Sequence, residues 1–146
     1  MAQLDFPLSA DGPTLEVTIG LPAVSIAVLQ SAGQPVPPFI RARALLDTAC
    51  DATAVAPWII QHQNLPYVGT TGTQTAGGSV QVNVHRASLS ISGPAGGTGP
   101  TFARPTLLVT ELAHALPKLD VLIGLDILFE IVTTIDGPGR QFSLTF

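Results

Sequence analysis

The stretch Leu45-Leu46-Asp47-Thr48-Ala49-Cys50-Asp51 sets an ionisable Asp-Thr pair directly behind an apolar run. A carboxylate delivered to the end of a buried strand loses hydration that only a partner or a chemical role can offset. Charged residues make up only 11% of this chain, so such a placement marks Asp47 as a candidate site residue. Phe39 to Leu46 reads as the strand that carries it, and Asp51 and Thr53 continue the polar loop beyond. Aspartate also commonly begins ordinary turns, so the surroundings must decide between the two readings.

Working outward, period-2 alternation dominates. Leu15, Val17 and Ile19 alternate with Glu16 and Thr18, Val80, Val82 and Val84 with Gln81, Asn83 and His85, and Phe142, Leu144 and Phe146 with Gln141, Ser143 and Thr145. This is the pattern of half-buried strands, with His85 on the solvent side. Val24 to Leu29, Ala87 to Ile91, Thr106 to Val109 and Ile131 to Ile135 are further strand candidates. Fourteen glycines and thirteen prolines punctuate these runs, at Gly33 to Pro38, Gly69 to Gly78, Gly93 to Pro100 and Gly137 to Gly139. Many short strands between turn signals predict a closed or sandwiched all-β domain. Helix is scarce: Pro57 fits the first position of a short helix through Trp58 and Gln61, and Asp126 to Glu130 allows a second. Gly93 to Gly99 reads as a mobile surface loop.

Composition narrows the function classes. With 46% hydrophobic residues the chain is not disordered. Six basic residues and a net charge of -4 leave no electrostatic footprint for nucleic acid. No apolar run is long enough to span a bilayer, and the first basic residue, Arg41, comes too late for a signal-peptide n-region. A single cysteine fits a reducing compartment, so a cytoplasmic location is expected. His62, His85, His114 and Cys50 have no recognisable zinc spacing, and neither metal nor cofactor is expected. Cys50 lacks a local histidine to activate it as a nucleophile. Trp58 and Phe39 read as core or interface aromatics.

The stretch around Asp47 resembles the active-site loop of the aspartic proteases, in which Asp-Thr/Ser-Gly follows two hydrophobic residues. Here Leu-Leu-Asp-Thr-Ala-Cys-Asp-Ala-Thr runs from Leu45 to Thr53, with Ala49 where the family has glycine. A second match lies about 75 residues downstream, at Val121-Leu122-Ile123-Gly124-Leu125-Asp126-Ile127-Leu128. It resembles the apolar-apolar-Gly motif before the short C-terminal helix of retropepsins, the single-lobe aspartic proteases of retroviruses and their cellular relatives.

That resemblance implies an acid-protease fold, a closed β-barrel or sandwich with one lobe per chain and one or two short helices. A single domain would span 1–146, with a family-like core over 40–146 and an unmapped N-terminal strand or hairpin over 1–38. At 146 residues the chain is too short for the two lobes of a pepsin. A homodimer is therefore implied, with Asp47 of each chain on the two-fold axis. Thr48 would hydrogen-bond across that axis, Ala49 would complete the catalytic loop, and Ile123-Gly124 would form the structural second motif. Asp51 matches a position that contacts substrate backbone and, in the retroviral enzymes, pairs with an arginine after the second-motif glycine. That position is Leu125 here, so the pair is absent. The Gly-rich run Thr70 to Ser79 resembles the flap hairpin, making Gly72, Thr75, Ala76, Gly77 and Gly78 candidate substrate-binding residues and leaving the tip residue open. The alternating Arg140 to Phe146 ending is a candidate interface strand. The implied function is endopeptidase action on peptides or proteins. A dimer of the same fold that binds peptide with little or no cleavage is the alternative, and an unrelated small all-β domain is a third.

Overall fold

The computed structural model describes residues 1–94 and 98–146. Its ten strands and three short helices run in the order β1 (Gln3–Pro7), β2 (Thr14–Gly20), α1 (Ala23–Ser31), β3 (Ile40–Leu46), β4 (Ala54–Val55), α2 (Pro57–Gln63), β5 (Tyr67–Thr75), β6 (Gly78–Ser92), β7 (Thr101–Glu111), β8 (Val121–Ile123), α3 (Leu125–Leu128), β9 (Val132–Asp136) and β10 (Gln141–Thr145). Seven strands form one sheet in the order β2-β3-β8-β4-β7-β6-β5, and a further β2–β6 pairing closes six of them into a barrel. The expected all-β fold with few short helices is what forms.

Alternation explains the barrel walls. Leu15, Val17 and Ile19 of β2 and Ala42, Ala44 and Leu46 of β3 point into one buried cluster shared with Leu89, Ile91, Val109, Val121 and Ile123. Between them the charged Glu16, Arg41 and Arg43 face solvent. Fully burying one such aliphatic side chain contributes about 1.5–3 kcal/mol, and a one-residue slip of β3 would turn Arg41 and Arg43 inward in place of Ala42 and Ala44.

β6 serves two structures. Its first half pairs with β5 in a hairpin, its second half pairs with β2, and β7 lies along its other edge from Val84 to Ser92 with a bulge between Ala87 and Leu89. The two strands expected at Val80 to His85 and Ala87 to Ile91 are thus one. The Gly93 to Gly99 stretch lies between β6 and β7 in the chain, and 95–97 of it lie outside the described residues.

Two expectations are corrected. Val24 to Leu29 is not a strand but lies in α1, which ends in a glycine cap: Gly33 has φ +66°, Gly33 N–H donates to Gln30 O at 3.1 Å, and Gln34 N–H donates to Leu29 O at 2.9 Å. This pairing satisfies the last carbonyls with a residue that tolerates the left-handed region. His85 is not on the solvent face, being only 8% exposed. Of the core or interface positions expected for Trp58 and Phe39, the core is excluded: both are about half exposed, with Phe39 lying over Gly20 and Trp58 Nε1 donating to Asp120 Oδ1 at 2.9 Å.

The chain ends form the second sheet, β1-β10-β9, all antiparallel. β10 is its centre, so the candidate interface strand is covered on both edges by this same chain. Phe142 and Leu144 are fully buried, Phe142 stacking on Phe6 with ring centroids 5.1 Å apart. Hydrogen-bonding edges belong instead to β1 and β9, and β9 leaves Val132 58% and Ile135 56% exposed.

Candidate active site

β3 and β8 lie side by side and parallel, with Ala44 opposite Val121, Leu45 opposite Leu122 and Leu46 opposite Ile123. This register brings the two sequence motifs together. Asp47 N–H donates to Ile123 O at 2.9 Å, so the aspartate leaves the barrel at the point where the Ile123-Gly124 turn begins.

The loop after β3 folds back on its own carboxylate. Ala49 N–H donates to Asp47 Oδ1 at 2.9 Å, and Cys50 N–H donates to Asp47 O at 3.2 Å. The Cys50 thiol lies 3.4 Å from Asp47 Oδ2 and donates to it. Each carboxylate oxygen thus has a fixed donor, which orients the group while it remains half-buried. Ala49 and Thr48 are exposed at the loop's outer face. Ala49 is not among the residues with positive φ, so alanine in place of the family glycine carries no backbone strain.

Gly124 holds the loop from below. A Cβ there would sit 2.6 Å from Ala52 C, 2.8 Å from Ala52 O and 2.9 Å from Cys50 O, all backbone atoms of the Asp47 loop. That closeness allows Leu125 N–H to donate to Cys50 O at 2.8 Å and Asp126 N–H to Asp51 O at 3.1 Å. Thr53, 0% exposed, completes the junction. Its hydroxyl donates to Asp126 Oδ1 at 2.8 Å and accepts from Gly124 N–H at 3.2 Å, while its own N–H donates to Asp126 Oδ2 at 3.0 Å.

Asp126 is the loop-holding residue that sequence reasoning missed. Position 125 is a leucine and offers no cation to Asp51, and the neighbouring Asp126 carboxylate holds the Asp47 loop through Thr53. The Asp51 side chain is exposed.

A cleft of about 420 Å³ opens next to this loop, bounded by Ala49, Cys50 and Asp51 on one side, by Thr71 to Thr75 of β5 on another, and by Thr110 to His114 on the third. The β5–β6 hairpin that walls it turns at Ala76-Gly77, with Thr75 opposite Gly78. Thr75 Oγ1 bridges the turn, accepting from Gly77 N–H at 3.2 Å and donating to Gly78 O at 2.8 Å, and Gly78 has φ +112°. Gly72 and Thr75 line the cleft, whereas Ala76, Gly77 and Gly78 form the tip beyond its lining. Glu111 is a second carboxylate on the cleft wall that sequence reasoning missed. It lies at the end of β7 outside any motif, and only the fold brings it there.

Against the solved structures, the chain is similar to a retropepsin-like aspartic protease from Rickettsia conorii, with a TM-score of 0.58 and 15% identity over 97% of this chain and 89% of that one. The fold is that of a retropepsin-like lobe. No family model and no curated protein matches the sequence.

Cys50 separates two chemistries at this loop. Partial burial, the hydrogen bond to Asp47 and the charges of Asp47, Asp51 and Asp126 push its thiol from 9.0 up to about 11. The nucleophile of cysteine chemistry is the thiolate, and here it is suppressed. Alkylation of native protein by iodoacetamide is expected to stay slow through pH 9 and to rise only toward about pH 11, read by mass spectrometry against the unfolded chain. Because the folded state holds the thiol proton more tightly than the unfolded chain does, this group's contribution to stability is fully present below about pH 9 and is lost as pH rises toward about 11. Ordinary thiol reactivity in the folded protein at pH 8 would contradict the Cys50–Asp47 hydrogen bond.

Proposed function

We propose that the chain is an aspartic endopeptidase that works as a homodimer. The observation that carries this reading is the parallel β3–β8 pairing, which fixes Asp47, its carboxylate held by Ala49 N–H and the Cys50 thiol, beside a hairpin-walled cleft. In this reading Asp47 and Asp47 of the partner subunit share one proton about a water molecule. One carboxylate takes a proton from the water as it attacks the scissile carbonyl, while the other protonates the carbonyl oxygen. Thr48 and Ala49, exposed beside Asp47, face the partner's loop. Asp51, Gly72 and Thr75 contact an extended peptide, and the Ala76-Gly77-Gly78 tip closes over it as a flap that excludes water.

Need for a partner follows from one Asp-Thr sequence per chain. The exposed Val132 and Ile135 of β9, beside the exposed Phe129, support a meeting of two copies near the second sheet. The step needs one carboxyl group protonated and the other ionised. A bell-shaped rate profile is expected, with its optimum at roughly pH 4 to 6. Loss of activity on dilution should track dissociation of the dimer in sedimentation. A monomer with full activity, or an optimum above about pH 8, would point to other chemistry.

Ala49 favours a second reading, a dimer that binds peptide but cleaves it slowly. Its methyl group stands on the exposed face of the loop that two copies would bring together, and a misplacement of about 1 Å there can lower the rate about 100-fold.

A further inference from the structure

Glu111 ends β7 opposite Val55 and lines the cleft. Its side chain is 26% exposed, and both of its oxygens face groups on β6, the strand that runs into the hairpin. Asn83 Nδ2 donates to Oε2 at 3.2 Å, and His85 Nε2 lies 3.2 Å from Oε1.

The other ring nitrogen decides what this second contact requires. His85 Nδ1 lies 3.1 Å from Leu65 O, and a carbonyl oxygen can only accept, so Nδ1 carries a hydrogen. In the neutral ring Nε2 is then bare and turns a lone pair toward a carboxylate oxygen. The contact becomes attractive only with one more proton, on the imidazole or on the carboxyl group. When that proton leaves, Oε1 has lost its donor on a partly buried wall, where an unpaired charge is costly.

Nothing else in the cleft compensates. The remaining titratable groups that face this space are Cys50 and Asp51 from the loop after β3 and His114 from the segment after β7, while Tyr67 of β5 meets His85 edge-on with centroids 5.8 Å apart. No lysine or arginine lines the cleft among the described residues.

We propose that Glu111 is a specificity-determining residue that receives a cationic side chain, lysine or arginine, from the bound peptide in place of the proton it shares with His85. This rests on the proposed reading of the cleft as the peptide site, and not on cleavage itself. An ammonium or guanidinium group supplies the missing donor through a charge-assisted hydrogen bond, and the oriented carboxylate loses little side-chain freedom in accepting it. Cation and proton compete for Oε1, and the cation brings its own donor.

The test uses the Asp47→Asn chain, which binds without turning over, and octapeptides with an apolar host sequence carrying lysine, norleucine or glutamate at each position in turn. At one position lysine should bind at least about tenfold tighter than norleucine at pH 8. The ratio should fall close to one in Asp47→Asn/Glu111→Gln. If the double variant does not fold, the ratio in Asp47→Asn alone at low and high salt decides, since an ion pair with Glu111 weakens as salt rises. A ratio below about twofold at every position, or one that survives in the folded double variant, overturns the assignment. Lysine preference without cleavage by the unsubstituted chain sustains Glu111 and removes the peptidase. Cleavage without lysine preference does the reverse, and failure to bind any peptide removes both.

Discussion

Asp47→Asn is expected to abolish peptide cleavage, by at least about 10³-fold, while the fold and the dimer persist. Asparagine keeps the side-chain oxygen that accepts from Ala49 N–H at 2.9 Å, so the turn after β3 survives and the loss reports chemistry rather than collapse. What disappears is the ability of this group to take a proton from water. Cleavage of an unbiased peptide library by purified variant and unsubstituted chain at several pH values, with circular dichroism and sedimentation on both, measures it. Undiminished turnover in the variant removes the aspartic mechanism. No turnover in either favours the binding dimer.

The largest effect on stability is expected for Gly124→Ala. Gly124 has ordinary extended backbone angles, φ -89° and ψ -176°, so the obstacle is space. The added methyl would meet Ala52 and Cys50 backbone at 2.6 to 2.9 Å, and a backbone cannot rotate away as a side chain can. Relief requires β8 and the Asp47 loop to separate, breaking the Leu125–Cys50 and Asp126–Asp51 bonds and pulling Gly124 from Thr53. A destabilisation of about 2–4 kcal/mol is expected, read as a lowered denaturant midpoint, with activity lost even in the fraction that stays folded. Stability within about 0.5 kcal/mol of the unsubstituted chain would show that this loop shifts freely.

Much of the fold is legible in the sequence because its barrel strands have one wet face. Glu16, Arg41 and Arg43 between buried neighbours give β2 and β3 an unambiguous period. Val24 to Leu29 misleads for the opposite reason. A short, mostly apolar run with only Ser25 to interrupt it is compatible with either element, and α1 has no fully buried residue to impose a period. The signal that settles it is Gly33, just past the end, where a helix cap needs a left-handed residue.

The two motifs are legible because each is a local pattern, a carboxylate at a strand end and a glycine under a crossing chain, and the parallel β3–β8 pairing sets them side by side. Asp126 and Glu111 are invisible by the same logic. Their roles depend on Thr53, Asn83 and His85, 73, 28 and 26 residues away respectively, and no local pattern encodes a partner at that distance. His85 follows the alternation but not its usual meaning, since its polar face turns toward Leu65 and Glu111 instead of water.

The second sheet bears on how the chain acquires its structure. β1 holds the earliest strand residues and β10 the latest, and they pair from Gln3 with Thr145 to Pro7 with Gln141. Pairing across nearly the full sequence separation carries the greatest loop-closure entropy of any contact in the molecule. During synthesis β1 and β9 must both wait for β10, which lies between them. Until then each exposes an open hydrogen-bonding edge, and Phe6 lacks the ring that stacks on it. The barrel can close first, with β2, β3 and β6 already made. The strand beside each terminus therefore locks last, and folding is expected to be slow, as in other chains dominated by non-local pairing.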